Sequence, residues 1–121
     1  MNHYFATEDR PLTAEERALL EWLIANGTPE ARDYAHQIPG LRVVGRCTCG
    51  CPTIDLALTS DSHKKAASKI VADFEGATPE GLHVGVILHV REGEISELEV
   101  YPIDEATGPF GLPSPEALRV L

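Results

Sequence analysis

At Leu41 the spacing of apolar residues changes from every third or fourth position to every second, which confines the chain to a helical N-terminal part followed by strands. Before the switch, Leu19, Leu20, Leu23 and Ile24, with Trp22, form a wide apolar stripe, while Glu15, Arg17 and Glu21 supply a wet side. Thr13-Ala14-Glu15-Glu16 reads as a capping box that starts this helix, and Gly27 after Asn26 stops it. Thr28-Pro29 predicts the start of a second helix, with Ala31, Tyr34, Ala35 and Ile38 on one face and Pro39-Gly40 at its end. The short link between them predicts an αα-hairpin.

Beyond the switch, Leu41 and Val43, then Ile54, Leu56 and Leu58, predict two strands flanking a cysteine-containing loop. Val84, Val86, Leu88 and Val90 form one face of a further strand, and His83, Gly85, Ile87 and His89 the other. The turn at Glu92-Gly93-Glu94 leads into a strand over 95–101. A two-residue loop would set Leu88 against Glu97 and Val86 against Glu99. A three-residue loop with Gly93 left-handed pairs Leu88 with Leu98, Val86 with Val100 and His89 with Glu97, and is the expected form. Residues 64–75 suit a helix face or a strand; the need for an antiparallel partner beside 83–91 favours a strand from about Ser68 to Glu75. Residues 102–121 are rich in Pro and Gly, with one short helical turn expected from Ser114-Pro115-Glu116 through Leu118. The expectation is a single α+β domain over residues 1–121, an N-terminal two-helix hairpin packed on a mainly antiparallel four- or five-stranded β-meander.

Ten Lys and Arg against 19 Asp and Glu give a net charge of −9, which disfavours a general nucleic-acid or anionic-membrane binder. The charge is uneven: residues 1–41 carry −4, residues 42–69 carry +3 and residues 70–121 carry −8. No run approaches the roughly 18 apolar residues that span a bilayer, and no basic segment followed by an apolar one opens the chain. A cytoplasmic protein is therefore expected. Glu97, Glu99 and Tyr101 share one sheet face in the acidic portion and are the expected binding residues for a basic protein partner, an immunity-type protein neutralising a basic toxin being one concrete version. The plainer reading is a solvated face protected from aggregation by charge. The positive middle leaves room for a local anionic ligand near Arg42, Arg46 and Lys64.

Cys47-Thr48-Cys49-Gly50-Cys51-Pro52 is the most distinctive chemical feature. Three thiolates fill three corners of a zinc tetrahedron, which makes Cys47, Cys49 and Cys51 the candidate metal ligands. Against this, one intervening residue in an extended strand leaves the sulfurs roughly 6.5–7 Å apart, so the loop must curl, as Gly50 and Pro52 permit. The plain alternative packs Cys47 as a small apolar residue and uses Gly50 to Pro52 as a turn. Of the histidines His3, His36, His63, His83 and His89, His83 and His89 are about 20 Å apart along one strand and cannot share a metal. His36 falls at its helix margin, and Asp55 is placed to receive Arg42 or Arg46 across a hairpin. Neither a nucleophile elbow nor a glycine-rich phosphate loop is present. The leading expectation is a non-enzymatic binding or regulatory protein using the acidic face; the alternative is a zinc- or thiol-dependent protein using the cysteine cluster.

Arg10-Pro11-Leu12-Thr13 with Glu15-Glu16 and Leu19-Leu20, then Cys49-Gly50-Cys51-Pro52-Thr53-Ile54-Asp55, then Gly93 and Ser96-Glu97-Leu98-Glu99-Val100, resemble a group of small uncharacterised bacterial proteins. The resemblance covers about half of the chain and implies a bacterial α+β domain of unknown function, with no catalytic residue to carry over. Cys47 adds a third thiol to the C-G-C-P core of that pattern.

Overall fold

The computed structural model describes residues 5–58, 67–106 and 108–120. In chain order these form β1 (Phe5–Pro11), α1 (Ala14–Asn26), a 3₁₀ segment (Pro29–Gly40), β2 (Arg42–Cys47), β3 (Ile54–Ala57), β4 (Lys69–Ala77), β5 (His83–Arg91), β6 (Glu94–Pro102), a 3₁₀ turn (Pro115–Ala117) and β7 (Arg119–Val120). The strands join in one sheet, ordered β1-β2-β3-β6-β5-β4-β7, with every pairing antiparallel. The fold class is α+β as expected.

The sheet is larger than the four or five strands expected, and it is not one meander. Two three-stranded meanders, β1-β2-β3 and β4-β5-β6, meet where β3 lies beside β6. The two additional strands lie at the edges. β1 reads FATEDRP, too polar to show an apolar period, and β7 has only two residues.

The helical hairpin also needs correction. α1 begins at Thr13 with a complete capping box: the Thr13 hydroxyl accepts the Glu16 N–H at 3.0 Å and the Glu16 carboxylate accepts the Thr13 N–H at 2.9 Å. The second segment is 3₁₀, because its inward residues recur every three positions, Ala31, Tyr34 and Gln37, where a 3₁₀ helix aligns its side chains. Gln37 is buried and bridges to β6, donating to the Gly93 carbonyl at 2.9 Å and accepting the Ile95 N–H at 2.8 Å. Gln37→Ala should therefore cost about 2 kcal/mol in urea unfolding, mostly for the Ile95 N–H left buried without that acceptor.

Glu16 also receives Arg10, at 2.9 Å on each carboxylate oxygen. Burial alone pushes this carboxyl up, but the Arg10 and Thr13 hydrogen bonds outweigh it and hold Glu16 below the ordinary carboxylate range. A carboxyl depressed in the folded state stabilises the fold at pH values above its unfolded pKa and loses that contribution as pH falls through the lower folded value. Glu16→Gln should thus remove about 2 kcal/mol at pH 7, with the gap from the parent closing toward pH 3 in pH-dependent denaturation.

The core lies between the helical layer and one sheet face. Leu19, Leu20 and Leu23 belong to one core cluster with Val84, Val86 and Leu88 of β5 and Leu98 and Val100 of β6, all fully buried. Trp22 closes one margin edge-on to Phe74, with ring centroids 4.8 Å apart. The strand expected from about Ser68 to Glu75 is β4, and β5 and β6 pair Leu88 with Leu98, Val86 with Val100 and His89 with Glu97 as expected.

The turn that produces this register differs from expectation. Arg91 pairs with Glu94, so the loop has two residues, Glu92 and Gly93, both with positive φ. A bulge between His89 and Val90 then moves the register by one. Ser96 sits at that irregularity, donating to the His89 carbonyl at 3.2 Å and accepting Arg91 at 3.0 Å. The hydrophobic pattern fixed the inner pairs, and the bulge reconciled them with the shorter turn.

Candidate metal centre and cavity

β2 ends at Cys47, and the chain turns through Thr48 to Pro52 before β3 starts at Ile54. Gly50 carries φ +99 and packs against Pro109, so a side chain here would be strained and crowded at once. Phe110 N–H donates to the Gly50 carbonyl at 3.3 Å, tying the C-terminal segment to the loop. Thr53 anchors the exit, its hydroxyl accepting the Val100 N–H at 2.9 Å and donating to the Val100 carbonyl at 3.0 Å.

This curl overrides the extended separation expected for one-residue spacing. Cys47 Sγ lies 2.8 Å from Cys49 Sγ, which lies 3.0 Å from Cys51 Sγ. All three sulfurs fall within 4.8 Å of one another. A zinc–sulfur bond of about 2.3 Å gives a tetrahedral edge of about 3.8 Å, so a modest opening of the cluster accommodates the ion. Backbone N–H groups point at the sulfurs even at this spacing, from Cys49 to Cys47 at 3.5 Å and from Cys51 to Cys49 at 3.4 Å. Such donors favour the charged thiolate.

Cys47 is buried, Cys51 half-buried and Cys49 exposed. Burial, then the neighbouring Cys49 thiol, pushes the Cys47 thiol up to about 12. Burial thus favours the neutral form of the Cys47 thiol. The sulfurs are chemically fit for a soft divalent ion, and three protein ligands leave one tetrahedral position open.

Beside the loop is a cavity of about 370 Å³. Cys49 and Cys51 line one side, Glu97, Glu99 and Tyr101 project from β6, and Ala106, Gly108 and Phe110 border it from the C-terminal segment. The two residue sets singled out separately in the sequence thus meet at one site. The Tyr101 ring lies over Gly85, its cross-strand partner, at a position where a Cβ would collide with the ring.

The carboxylates have specific partners. His89 Nε2 is 2.7 Å from Glu99 and its Nδ1 is 3.1 Å from the Ser68 hydroxyl, while Arg91 contacts Glu97 at 3.2 Å. Burial pushes Glu97 upward despite the opposing pull of His89 and Arg91. Tyr101 is also shifted upward, by burial and then by the negative charges of Asp73, Glu99 and Glu75.

Arg42 and Arg46 form ion pairs with β1, at 2.6 Å to Asp9 and 2.7 Å to Glu8, so the positive stretch is partly neutralised. His36 is exposed, as its marginal place on the helical segment implied. His3, His63 and Lys64 lie outside the described residues. Sequence reasoning missed Phe110 and its neighbours because a Pro/Gly-rich stretch has no period to reveal which face it covers. No family model, curated protein or solved structure matches this chain.

Proposed function

We propose that this protein binds a soft metal ion, zinc first, through Cys47, Cys49 and Cys51, beside the adjacent cavity. The convergence of the three sulfurs carries the reading. The N–H donors to two of them and the closure of the loop by Phe110 add support. When bound, zinc supplies Lewis acidity and a template at the cavity edge. The chain supplies three thiolates, and the buried position of Cys47 fixes one of them. Cobalt(II) titration tests this: thiolate-to-cobalt charge-transfer absorption should saturate at one equivalent and disappear on zinc addition. A spectrum unchanged from free cobalt would overturn it.

The second reading is a docking face for a basic protein. Asp73, Glu75, Glu97 and Glu99 belong to neighbouring strands and all act electrostatically around Tyr101 or one another. Charge reversal at Glu97 and Glu99 should abolish capture of a basic partner in pull-down with native mass spectrometry. Capture that survives reversal defeats this reading.

A further inference from the structure

We propose that the three thiols form a redox centre in which Cys49 reduces a hydroperoxide and is then bridged to Cys51, with Cys47 as the reserve partner. The thiol chemistry stands on the sulfur geometry and needs no metal. Its coupling to metal release rests on the metal reading above.

Cys49 holds the middle place, its Sγ 2.8 Å from that of Cys47 and 3.0 Å from that of Cys51. It is exposed, whereas Cys51 is half-buried and Cys47 buried. An oxidant therefore meets Cys49 first, with a resolving thiol already in contact on either side. A disulfide bond is about 2.05 Å long, so closing either pair asks for a movement of about 1 Å. The cavity of about 370 Å³ borders Cys49 and Cys51 and gives a small hydroperoxide room to approach.

The backbone selects between the two partners. Cys47 ends β2, where it pairs with Phe5 of β1 and donates its N–H to the Thr53 carbonyl at 3.1 Å. Cys51 lies in the loop before β3, and the residue between it and Cys49 is Gly50, whose backbone has the freedom that closing a small ring requires. In the first step the Cys49 sulfur attacks the hydroperoxide, the O–O bond breaks, and a sulfenic acid forms on Cys49 while an alcohol, or water from hydrogen peroxide, departs. In the second, the Cys51 sulfur attacks the Cys49 sulfur, the S–O bond breaks, and the hydroxyl leaves as water with the thiol proton. Two thiols thus give two electrons and two protons to the hydroperoxide. A bridge across a single residue is strained and exposed, so a thiol such as glutathione should reduce it again. The bridge also takes away two of the three sulfur ligands, so a metal-loaded site should release its ion on oxidation.

Hydrogen peroxide at one equivalent, added to chelator-treated and zinc-loaded protein in parallel, tests this. After quenching in acid, free thiols are capped with N-ethylmaleimide, and intact mass and fragmentation of the tryptic peptide 47–64 locate the bridge. One bridge within the chain should form, mainly Cys49 to Cys51, with one capped thiol, and glutathione should reverse it. Cys51→Ser should move the bridge to Cys47 and Cys49, and Cys49→Ser should slow bridging at least ~10-fold. The double variant Cys47→Ser with Cys51→Ser should leave a sulfenic acid on Cys49 that dimedone traps; the two single variants carry the test if buried Cys47 does not tolerate serine. Bridging at the parent rate in Cys49→Ser, a parent bridge mainly through Cys47, bridges between chains only, or no loss of free thiols would overturn the proposal. In the zinc-loaded sample, one zinc per bridge should reach a chromophoric chelator, and zinc retained by the bridged chain would overturn the coupling. Bridging in protein that takes up no zinc would leave the thiol centre standing and remove the metal reading.

Discussion

Zinc should raise the unfolding free energy by about 4 kcal/mol when free ion exceeds its dissociation constant a thousandfold. For a chain of 121 residues that corresponds to roughly 10–20 °C in Tm. The argument is that the three sulfurs converge only in the folded loop, so the ion binds the native state far better than the unfolded chain. Cys49→Ser should remove most of the increment while changing the metal-free Tm by little, because Cys49 is exposed. The gain should shrink as pH falls. Metal binding displaces thiol protons, and burial, which pushes the Cys47 thiol up to about 12, makes that proton harder to remove. Differential scanning calorimetry with and without zinc from pH 8 to pH 6 measures both effects.

Leu98→Ala should destabilise the protein by about 3–4 kcal/mol, near the middle of the range for a buried leucine. Leu98 is fully buried and faces Leu88 on β5 and Ile54 on β3. The β3–β6 seam has only two register pairs, Ile54 with Leu98 and Asp55 with Glu97, supplemented by the Thr53 hydroxyl on Val100. A cavity at this point therefore weakens the junction between the two meanders as well as the core. Hydrogen exchange should show β2 and β3 losing protection more than β4 and β5. Because the cysteine loop connects β2 to β3, zinc affinity should fall in the same variant although no ligand has changed.

Much of this architecture is legible from local chemistry. The capping box at Thr13 and Glu16, the apolar stripe of α1 and the alternation in β5 each reflect interactions within a few residues or burial of one face. The inner register of β5 with β6 was legible because a slip would bury Glu97 and Glu99 in the apolar core. What escaped notice depends on distant partners. β1 becomes a strand through its pairing with β2 and through ion pairs such as Arg42 with Asp9, not through its own apolar period. The docking of Pro29–Gly40 against the sheet uses Gln37 reaching Gly93 and Ile95, more than fifty residues away. The cavity was hidden for the same reason. Its residues come from the cysteine loop, β6 and the 106–110 stretch, which contacts such as Phe110 N–H to the Gly50 carbonyl and Thr53 to Val100 bring together.

That joining of thiols and cavity is the centre of the account, and metal content is its most direct measure. Protein purified without chelator and supplied with zinc should retain about one ion per chain after gel filtration, and the Cys47, Cys49 and Cys51 triple serine variant should retain background only. Less than about 0.2 metal per chain in every preparation of the parent protein, or equal retention by the triple variant, would contradict it.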